Sequence, residues 1–247
     1  MSGWITVAGI GPGAEAQITP EVSAALAEAT DIVGYVPYVA RIAPRPGLRL
    51  HPSDNRVELD RARSALDMAA MGRRVVIVSS GDPGVFAMAS ALFEALEAHT
   101  GQESDIRILP GITAMLAAAA RAGAPLGHDF CAINLSDNLK PFAIIEHRLR
   151  HAARGDFAMA FYNPRSASRP DGFARALAIL RKECGPDRLM IFARAVSTPA
   201  ETLRIVTLAE ATPDMADMRT VVLVGNRATR RVGRWVYTPR SDREGLV

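Results

Sequence analysis

The sequence is poor in cysteine, with only Cys131 and Cys184 among 247 residues and neither in a C-x-x-C pair. A disulfide scaffold or a zinc site built on paired cysteines is therefore not expected, and a reducing compartment fits best. The first residues also lack a basic segment followed by an apolar one, so no signal peptide is predicted. Together these absences predict a cytoplasmic protein.

Long apolar runs and a strong excess of one charge are missing as well. The apolar stretch at 114–120 is far too short to cross a membrane, so no membrane partner is expected. The net charge of +3 is too small to indicate a nucleic-acid partner, but it suits an anionic small molecule. Hydrophobic residues make up 49% of the chain, which is ample for a folded core.

Short apolar segments alternate with helix-like segments through the first half of the chain. This rhythm predicts a largely parallel sheet covered by helices. After about residue 113 the predicted strands follow one another with less helix between them, which indicates a mixed sheet. We therefore predict an α/β fold of two domains, at 1–113 and 114–240.

Three glycine-bearing motifs follow three predicted strands. Because the carboxyl ends of parallel strands meet at one edge of a sheet, the three turns are predicted to build one crevice, and glycine there would let a ligand approach the backbone closely. Taken alone, Asp82 could instead cap the next helix, and Thr113 could be an N-cap. The motifs are Gly9-Ile10-Gly11-Pro12-Gly13-Ala14, Ser79-Ser80-Gly81-Asp82-Pro83-Gly84 and Leu109-Pro110-Gly111-Ile112-Thr113-Ala114.

The first motif formally satisfies G-x-G-x-x-[GA], the dinucleotide-binding pattern, which is weak when it stands alone. Pro12 and Pro20 move the predicted start of the following helix to about Glu21, whereas a Rossmann helix starts inside the motif. The ribose-binding acid should end the second strand, but Asp31 begins it. These two departures argue against an NAD-dependent oxidoreductase. A turn needed only for chain reversal also stays open.

The combination of motifs resembles the class III S-adenosylmethionine-dependent methyltransferases, the tetrapyrrole methylases. The resemblance also includes Phe161-Tyr162-Asn163-Pro164 and Val221-Val222-Leu223-Val224-Gly225, and it extends from residue 5 to about 226. It implies two α/β domains with S-adenosylmethionine in the cleft between them and S-adenosylhomocysteine as product. It further implies a polycarboxylate tetrapyrrole substrate and a homodimer.

The resemblance also implies which residues contact the cofactor. Methionine is frequent in the family at the position of Asn163, and glycine can occur at that of Ala195, so these two positions depart from the family pattern. The implied contacts are Pro12, Ser80, Gly81, Asp82, Val85, Thr113, Ala114, Asn163 and Ala195.

Within the family, several segments most resemble the members that methylate carbon 17 of precorrin-3B and contract the macrocycle in cobalamin biosynthesis. Phe142 departs from them, since tryptophan is expected there. A methylase of the same fold acting at another carbon stays open, as does a tetrapyrrole-binding protein without catalysis, although the intact Ser80-Gly81-Asp82 loop argues against the latter. The segments are 34–39, 136–141, 145–148 and 162–166.

Methyl transfer from a sulfonium depends on positioning, and the sequence shows neither a nucleophile elbow nor metal-ligand spacing. Substrate contacts are predicted from aromatic stacking and from cations that bind carboxylates, with a solvated surface as the alternative for each cation. The candidates are Tyr35, Tyr38, Lys140 and Arg165, and after them Arg41, Arg45 and Arg169.

Ring contraction moves protons and should benefit from a positioned acid or base. His128 and Asp129 follow a turn from which a loop could reach the cleft, with an ordinary surface loop as the alternative. The acid–base candidates are His128, Asp129, Asp137 and Asp54, and after them His51 and Glu58.

Overall fold

The structure is a computed structural model that describes residues 3–54, 57–99 and 105–241. Its contacts divide the chain into two compact units, Met1–Thr113 and Ala114–Val247. The first holds a five-stranded, all-parallel sheet and the second a five-stranded mixed sheet, so the predicted fold class is confirmed. In the described part of the chain, no helix is both long enough and apolar enough to span a bilayer.

The first unit alternates strands and helices, and its sheet has the order β3-β2-β4-β1-β5. The strands are β1 (Trp4–Gly9), β2 (Asp31–Tyr35), β3 (Arg49–Ser53), β4 (Arg74–Ser79) and β5 (Asp105–Leu109). The helices are α1 (Pro20–Glu28), α2 (Val36–Val39), α3 (Glu58–Ala70) and α4 (Met88–Glu97), with a 3-10 turn at Glu15–Gln17.

Helices cover both faces of the first sheet. Val7 of β1 packs in one core cluster with Leu66 of α3 and Leu92 of α4, whereas Ala8, which points to the other face, packs with Val22 of α1. The neighbouring strands β1 and β4 are thus followed by helices on opposite faces of the sheet. Such a pair of strands opens a crevice at its carboxyl ends, which is the usual ligand position in α/β sheets.

The start of α1 and the place of Asp31 both depart from a dinucleotide-binding fold. Thr19 is the N-cap of α1, its hydroxyl accepting the Val22 N–H at 3.3 Å, and Pro20 is the first helical residue, one position before the predicted start at about Glu21. Asp31 is buried at the start of β2 and binds His51 at 2.8 Å and Arg73 at 3.1 Å. It is therefore committed to an ion-pair cluster and not available to a ribose.

The second unit has a sheet in the order β10-β9-β11-β8-β7, in which β7 and β8 are parallel and the other neighbours antiparallel. The strands are β6 (Gly123–Ala124), β7 (Phe130–Asn134), β8 (Ala158–Tyr162), β9 (Leu189–Arg194), β10 (Thr202–Thr207), β11 (Thr220–Val224), β12 (Arg230–Val232) and β13 (Trp235–Tyr237). The helices are α5 (Ala114–Ala122), α6 (Phe142–Arg154) and α7 (Gly172–Glu183), with a 3-10 turn at Pro213–Met215.

Each face of this second sheet is covered by a different layer. Leu149 of α6 and Phe173 of α7 belong to one buried cluster, while Ala118 of α5 and Val236 of β13 belong to the cluster on the other face. A small sheet in the order β12-β13-β6 completes the second layer. The strands β7, β8 and β9 run in the same direction, so their carboxyl ends reach one open edge of the sheet.

Candidate active site

The three glycine motifs meet at the carboxyl edge of the first sheet. Gly11 and Gly81 exchange two backbone hydrogen bonds, of 3.2 and 3.0 Å. A Cβ added to Gly9 would lie 2.7 Å from the backbone nitrogen of Gly111, and one added to Gly111 would lie 2.2 Å from the carbonyl oxygen of Gly81. Glycine is therefore required because the three backbones pack directly on one another.

Asp82 ties two of these loops together. Its carboxylate accepts the Gly84 N–H at 2.8 Å and the Gly111 N–H at 3.1 Å. The helix α4 begins only at Met88, with Ala87 as its N-cap, so the alternative that Asp82 caps the next helix is wrong. The half-buried carboxylate instead joins the loop after β4 to the loop after β5.

Two tyrosines, at the end of β2 and in α2, lie beside the second glycine loop. The rings of Tyr35 and Tyr38 meet edge to face, with centroids 5.3 Å apart. The Tyr38 hydroxyl is hydrogen-bonded to the side chain of Ser80, and burial together with the nearby Tyr35 raises the pKa of Tyr38. Both predicted substrate aromatics are thus at the same sheet edge as the predicted cofactor loops.

Two arginines considered as carboxylate clamps bind the protein's own backbone. Both guanidinium groups are half-buried, so a solvated surface does not describe them. Arg41 donates to the carbonyls of Ile10, Gly11 and Gly13, at 2.6, 3.1 and 3.1 Å. Arg45 donates to the carbonyls of Leu26, Ala27 and Ala29 at the end of α1, at 2.8, 2.7 and 2.8 Å.

The first sheet edge carries carboxylates. Asp54 follows β3 and is exposed, and Asp82 follows β4. The buried Arg61 holds the Asp54 segment by donating to its carbonyl at 2.7 Å and to the Ser53 hydroxyl at 2.8 Å. Pro12, Ser80 and Val85 are partly exposed on the neighbouring loops, and Thr113 is buried just before α5.

The open edge of the second sheet brings together the ends of β7, β8 and β9. Asn163, one residue beyond β8, donates from Nδ2 to Oδ1 of Asn134 at 3.2 Å. The Tyr162 hydroxyl accepts the backbone N–H of Met115 at 3.0 Å, which satisfies a donor in the first turn of α5, next to Ala114. The end of β8 is thereby fixed to the end of β7 and to the first turn of α5.

Two residues at this edge have left-handed backbone conformations. Asn163 has φ 51° and Ala195, which follows β9, has φ 50°. Asparagine adopts this conformation readily, but alanine does so only at a cost. Backbone strain of this kind concentrates at functional sites, which supports the choice of both positions as cofactor contacts.

A cluster of cations lies at the same edge, and it differs from the predicted one. Lys140 donates to the Ser136 carbonyl at 3.1 Å. Burial lowers the pKa of Lys140, the charges of Arg148 and Arg169 lower it further, and Asp137 acts in the opposite direction. The sequence alone does not single out Arg148, because one arginine on an amphipathic helix is usual on a solvated face.

Arg165 lies in the loop after β8, between Asn163 and Arg169. The pKa of Asp214 is lowered chiefly by a hydrogen bond from the Thr212 side chain, and the charge of Arg165 is a smaller cause. We name Lys140, Arg148 and Arg169 the cation cluster. Arg169 donates to the Asn163 carbonyl at 3.2 Å, which links this cluster to the strained residue after the end of β8.

The acid–base candidates are divided between opposite sheet edges. His128 and Asp129, whose Nδ1 and Oδ2 atoms are 3.8 Å apart, precede β7 and therefore lie at the edge opposite Asn163. Asp137 follows β7, at the edge that carries the cation cluster. The placement favours Asp54 and Asp137 over His128 and Asp129.

His51 and Glu58 are placed in the framework of the first unit. His51 pairs with the buried Asp31. Burial raises the pKa of Asp31, but the hydrogen bonds from His51 and Thr30 and the charge of Arg73 outweigh it, so the pKa is lowered overall. Glu58 begins α3, where a carboxylate suits the helix dipole. Both side chains thus have structural roles.

Both cysteines are free and half-buried, and burial raises the pKa of each thiol. Among the residues that the structure describes, no group of three or more His, Cys, Asp or Glu side chains could hold a metal ion.

Comparison with known proteins gives a consistent result. Residues 5–212 match the model of the family described as Tetrapyrrole (Corrin/Porphyrin) Methylases. A precorrin-3B C(17)-methyltransferase of Sinorhizobium sp is 48% identical over 97% of both chains. The crystal structure of the methyltransferase CobJ is 79% identical, covers 96% of this chain and 100% of its own, and superposes with a TM-score of 0.95.

A more distant structure shows the shared fold alone. It is the uroporphyrin-III C-methyl transferase of Thermus thermophilus complexed with S-adenyl homocysteine, which is 22% identical and has a TM-score of 0.69 over 90% of this chain and 97% of its own.

Proposed function

Because the chain belongs to the tetrapyrrole (corrin/porphyrin) methylases, we propose that it transfers a methyl group from S-adenosylmethionine to carbon 17 of precorrin-3B, with ring contraction to precorrin-4. The similarity to the Sinorhizobium precorrin-3B C(17)-methyltransferase supports the choice of ring carbon and the place in cobalamin biosynthesis.

The observation that carries the proposal is the opposite charge of the two sheet edges. The first edge presents carboxylates and backbone carbonyls. Its nearby cations are engaged by the protein itself: Arg41 donates to carbonyls of the first loop, and Arg61 donates to the Asp54 carbonyl and the Ser53 hydroxyl. The second edge presents the cation cluster, in which burial and the charges of Arg148 and Arg169 depress the pKa of Lys140. A cationic methyl donor suits the first edge, and a polycarboxylate suits the second.

The residues present fit S-adenosylmethionine, since its sulfonium and ammonium groups match an edge with Asp82 and partly exposed apolar side chains. When bound, it supplies an electrophilic methyl group. The protein's own contribution is a rigid, pre-joined set of loops that orients donor and acceptor, an effect worth up to about 7–11 kcal/mol in favourable cases. The proposed contacts are Pro12, Ser80, Gly81, Asp82, Val85, Thr113, Ala114, Asn163 and Ala195.

For the substrate, we assign the carboxylate contacts to the cation cluster, with Arg165 as a further contact. Guanidinium groups bind carboxylates through paired hydrogen bonds, and Lys140 adds a point charge. Tyr35 and Tyr38 are proposed to contact the macrocycle. Asp54 and Asp137 lie at the open edges, where they can give or take the protons that ring contraction moves.

A homodimer in the cytoplasm completes the proposal. The family resemblance supports the dimer, and the free thiols of Cys131 and Cys184 suit a reducing compartment. Neither nucleic acid nor a membrane is proposed as a partner.

The test is product analysis with pure protein. Incubation with S-adenosylmethionine and precorrin-3B should yield a product that has gained one methyl group by mass spectrometry, and carbon NMR should place that group on carbon 17. Methylation at another carbon would support a different methylase of the same fold. Calorimetry that showed NADH binding and no response to S-adenosylhomocysteine would contradict the assignment altogether.

A further inference from the structure

A cavity of about 520 Å³ lies on the second unit, beside the outer strand β10. It is on the face of the sheet that α5 covers, and it is bounded by α5, β10 and the β12–β13 hairpin. None of its lining residues belongs to the glycine loops or to the cation cluster. The cavity is therefore not accounted for by the proposed methyl transfer.

One wall of the cavity is apolar. Leu203 and Ile205 of β10 contribute aliphatic side chains, and Trp235 of the hairpin contributes an indole that is 44% exposed. An exposed tryptophan beside exposed aliphatic carbon offers a flat apolar surface that could be covered by a planar molecule.

The rest of the lining is cationic. The guanidinium of Arg234 lies over the Trp235 ring, 4.2 Å from its centroid, and Arg231 donates from Nε to the Gly233 carbonyl at 3.0 Å. Arg121 is neutralised by Glu201 at 3.0 Å. In the described part of the chain, no carboxylate forms an ion pair with Arg231 or Arg234, so the cavity keeps a positive charge.

The charge argues against a second copy of the chain as the occupant. If the axis of a two-fold symmetric dimer passed through this cavity, Arg231 and Arg234 would come close to their own equivalents, and like charges would repel. Two guanidinium groups beside an indole instead complement a molecule that carries at least two negative charges on a flat body.

We propose that this cavity binds an organic polyanion with a planar apolar body, whose charges are held by Arg231 and Arg234 and whose body rests on Trp235, Leu203 and Ile205. Carboxylates on a macrocycle and phosphate on a nucleobase share this chemistry. The proposal does not depend on the methyl-transfer reaction, because no lining residue is among the proposed cofactor or substrate contacts.

The chain has two tryptophans, Trp4 and Trp235, which provides a local test. The protein is labelled with 5-fluorotryptophan, and the Trp4→Phe variant assigns the two fluorine NMR signals. Uroporphyrin is titrated in one arm and AMP in the other. We expect the Trp235 signal to shift while the Trp4 signal stays in place, and the responding arm identifies whether carboxylate or phosphate is preferred.

The matched variants separate this cavity from the proposed substrate site. The double variant Arg231→Gln, Arg234→Gln should weaken binding by about tenfold or more, since hydrogen bonds between charged groups are lost. Lys140→Gln should leave the Trp235 response unchanged. Each single arginine variant keeps the test available if the double variant does not fold.

Two results would overturn the proposal. One is a Trp235 signal that responds to neither probe, or that responds equally in the double variant. The other is a double variant that changes only the sedimentation behaviour of the protein, which would assign the cavity to an interface between subunits.

Discussion

The carboxylate of Asp82 and the backbone N–H of Gly111 are joined by a hydrogen bond of 3.1 Å between residues 29 apart in the chain. The loops that they belong to follow β4 and β5, which flank β1 in the sheet. Because the same carboxylate also accepts the Gly84 N–H, Asp82 fixes the relative position of two of the three glycine loops.

Asp82→Ala is expected to weaken the binding of S-adenosylhomocysteine while the protein still folds. Loss of a hydrogen bond to a charged group costs about 1.5–3 kcal/mol, which corresponds to about tenfold or more in affinity. Asp82→Asn keeps one acceptor and should lose less. Calorimetry measures the affinity, and thermal unfolding measures stability. A lower melting temperature with unchanged affinity would limit Asp82 to loop structure.

Gly111→Ala should disrupt the loops far more than Gly84→Ala. The new Cβ at position 111 would lie 2.2 Å from the Gly81 carbonyl oxygen, whereas at position 84 it would meet only the Asp82 carboxylate, at 3.3 Å. We expect loss of S-adenosylhomocysteine binding in the first variant and near-normal binding in the second. Equal binding by both variants would show that the backbones can separate at little cost.

Ala195→Gly should leave stability unchanged or raise it by up to about 1.6 kcal/mol. The left-handed conformation costs alanine roughly 1–2 kcal/mol, which glycine avoids. Glycine also makes the unfolded chain more flexible, which lowers the stability of the folded state by about 0.4–1 kcal/mol and offsets part of the gain. Ala193→Gly, in the regular part of β9, is the control and should destabilise by about 1 kcal/mol. Urea unfolding of both variants decides, and equal destabilisation would contradict the argument.

Substrate binding should weaken at high pH because Lys140 loses its charge. Its pKa lies below the ordinary 10.5, and a lysine is charged only below its pKa. The KM for the tetrapyrrole should therefore rise as pH increases through that lowered value. Lys140→Arg should flatten the rise, and Lys140→Gln should raise KM at every pH. A wild-type KM that is independent of pH up to 10.5 would remove Lys140 from the substrate site.

Methyl transfer and ring contraction should separate by mutation. Asp54→Asn or Asp137→Asn should yield a variant that still methylates but releases an uncontracted macrocycle, since general acid–base catalysis is typically worth about 100- to 10,000-fold. His128→Gln and Asp129→Asn are the controls from the opposite edge. Absorption spectra and carbon NMR identify the product. If both activities always change together, contraction follows spontaneously from methylation.

The sequence predicted the framework of the fold because most strands are apolar runs bounded by glycine or proline. It missed β3, whose residues include Arg49, His51 and Pro52 and which is an edge strand where proline is tolerated. It also missed β12, a short, exposed strand that contains two arginines. Strands that bury little apolar surface leave little periodicity to read.

The site was predictable where it depends on local motifs and not where it depends on distant pairs. The glycine loops are continuous stretches of chain, so their meeting at one edge follows from the parallel order of the strands. The contacts of Arg41 with the first loop and the proximity of Arg148 to Lys140 join residues that no spacing rule connects. For His128 and Asp129 the local sequence and the structure differ. The turn before them suggests a loop that reaches the cleft, but both residues precede β7 and so lie at the opposite edge of the second sheet.

The second sheet places β11 between β8 and β9, although β11 follows both in the chain. During synthesis, β7 with β8 and β9 with β10 can pair early, but the two halves cannot join until residues 220–224 have left the ribosome. A nascent or prematurely terminated chain would expose the unpaired sides of β8 and β9, which invite aggregation. A chain shortened from its C-terminal end so that β11 is lost would therefore have its second sheet in two unjoined pairs of strands, and not one strand fewer.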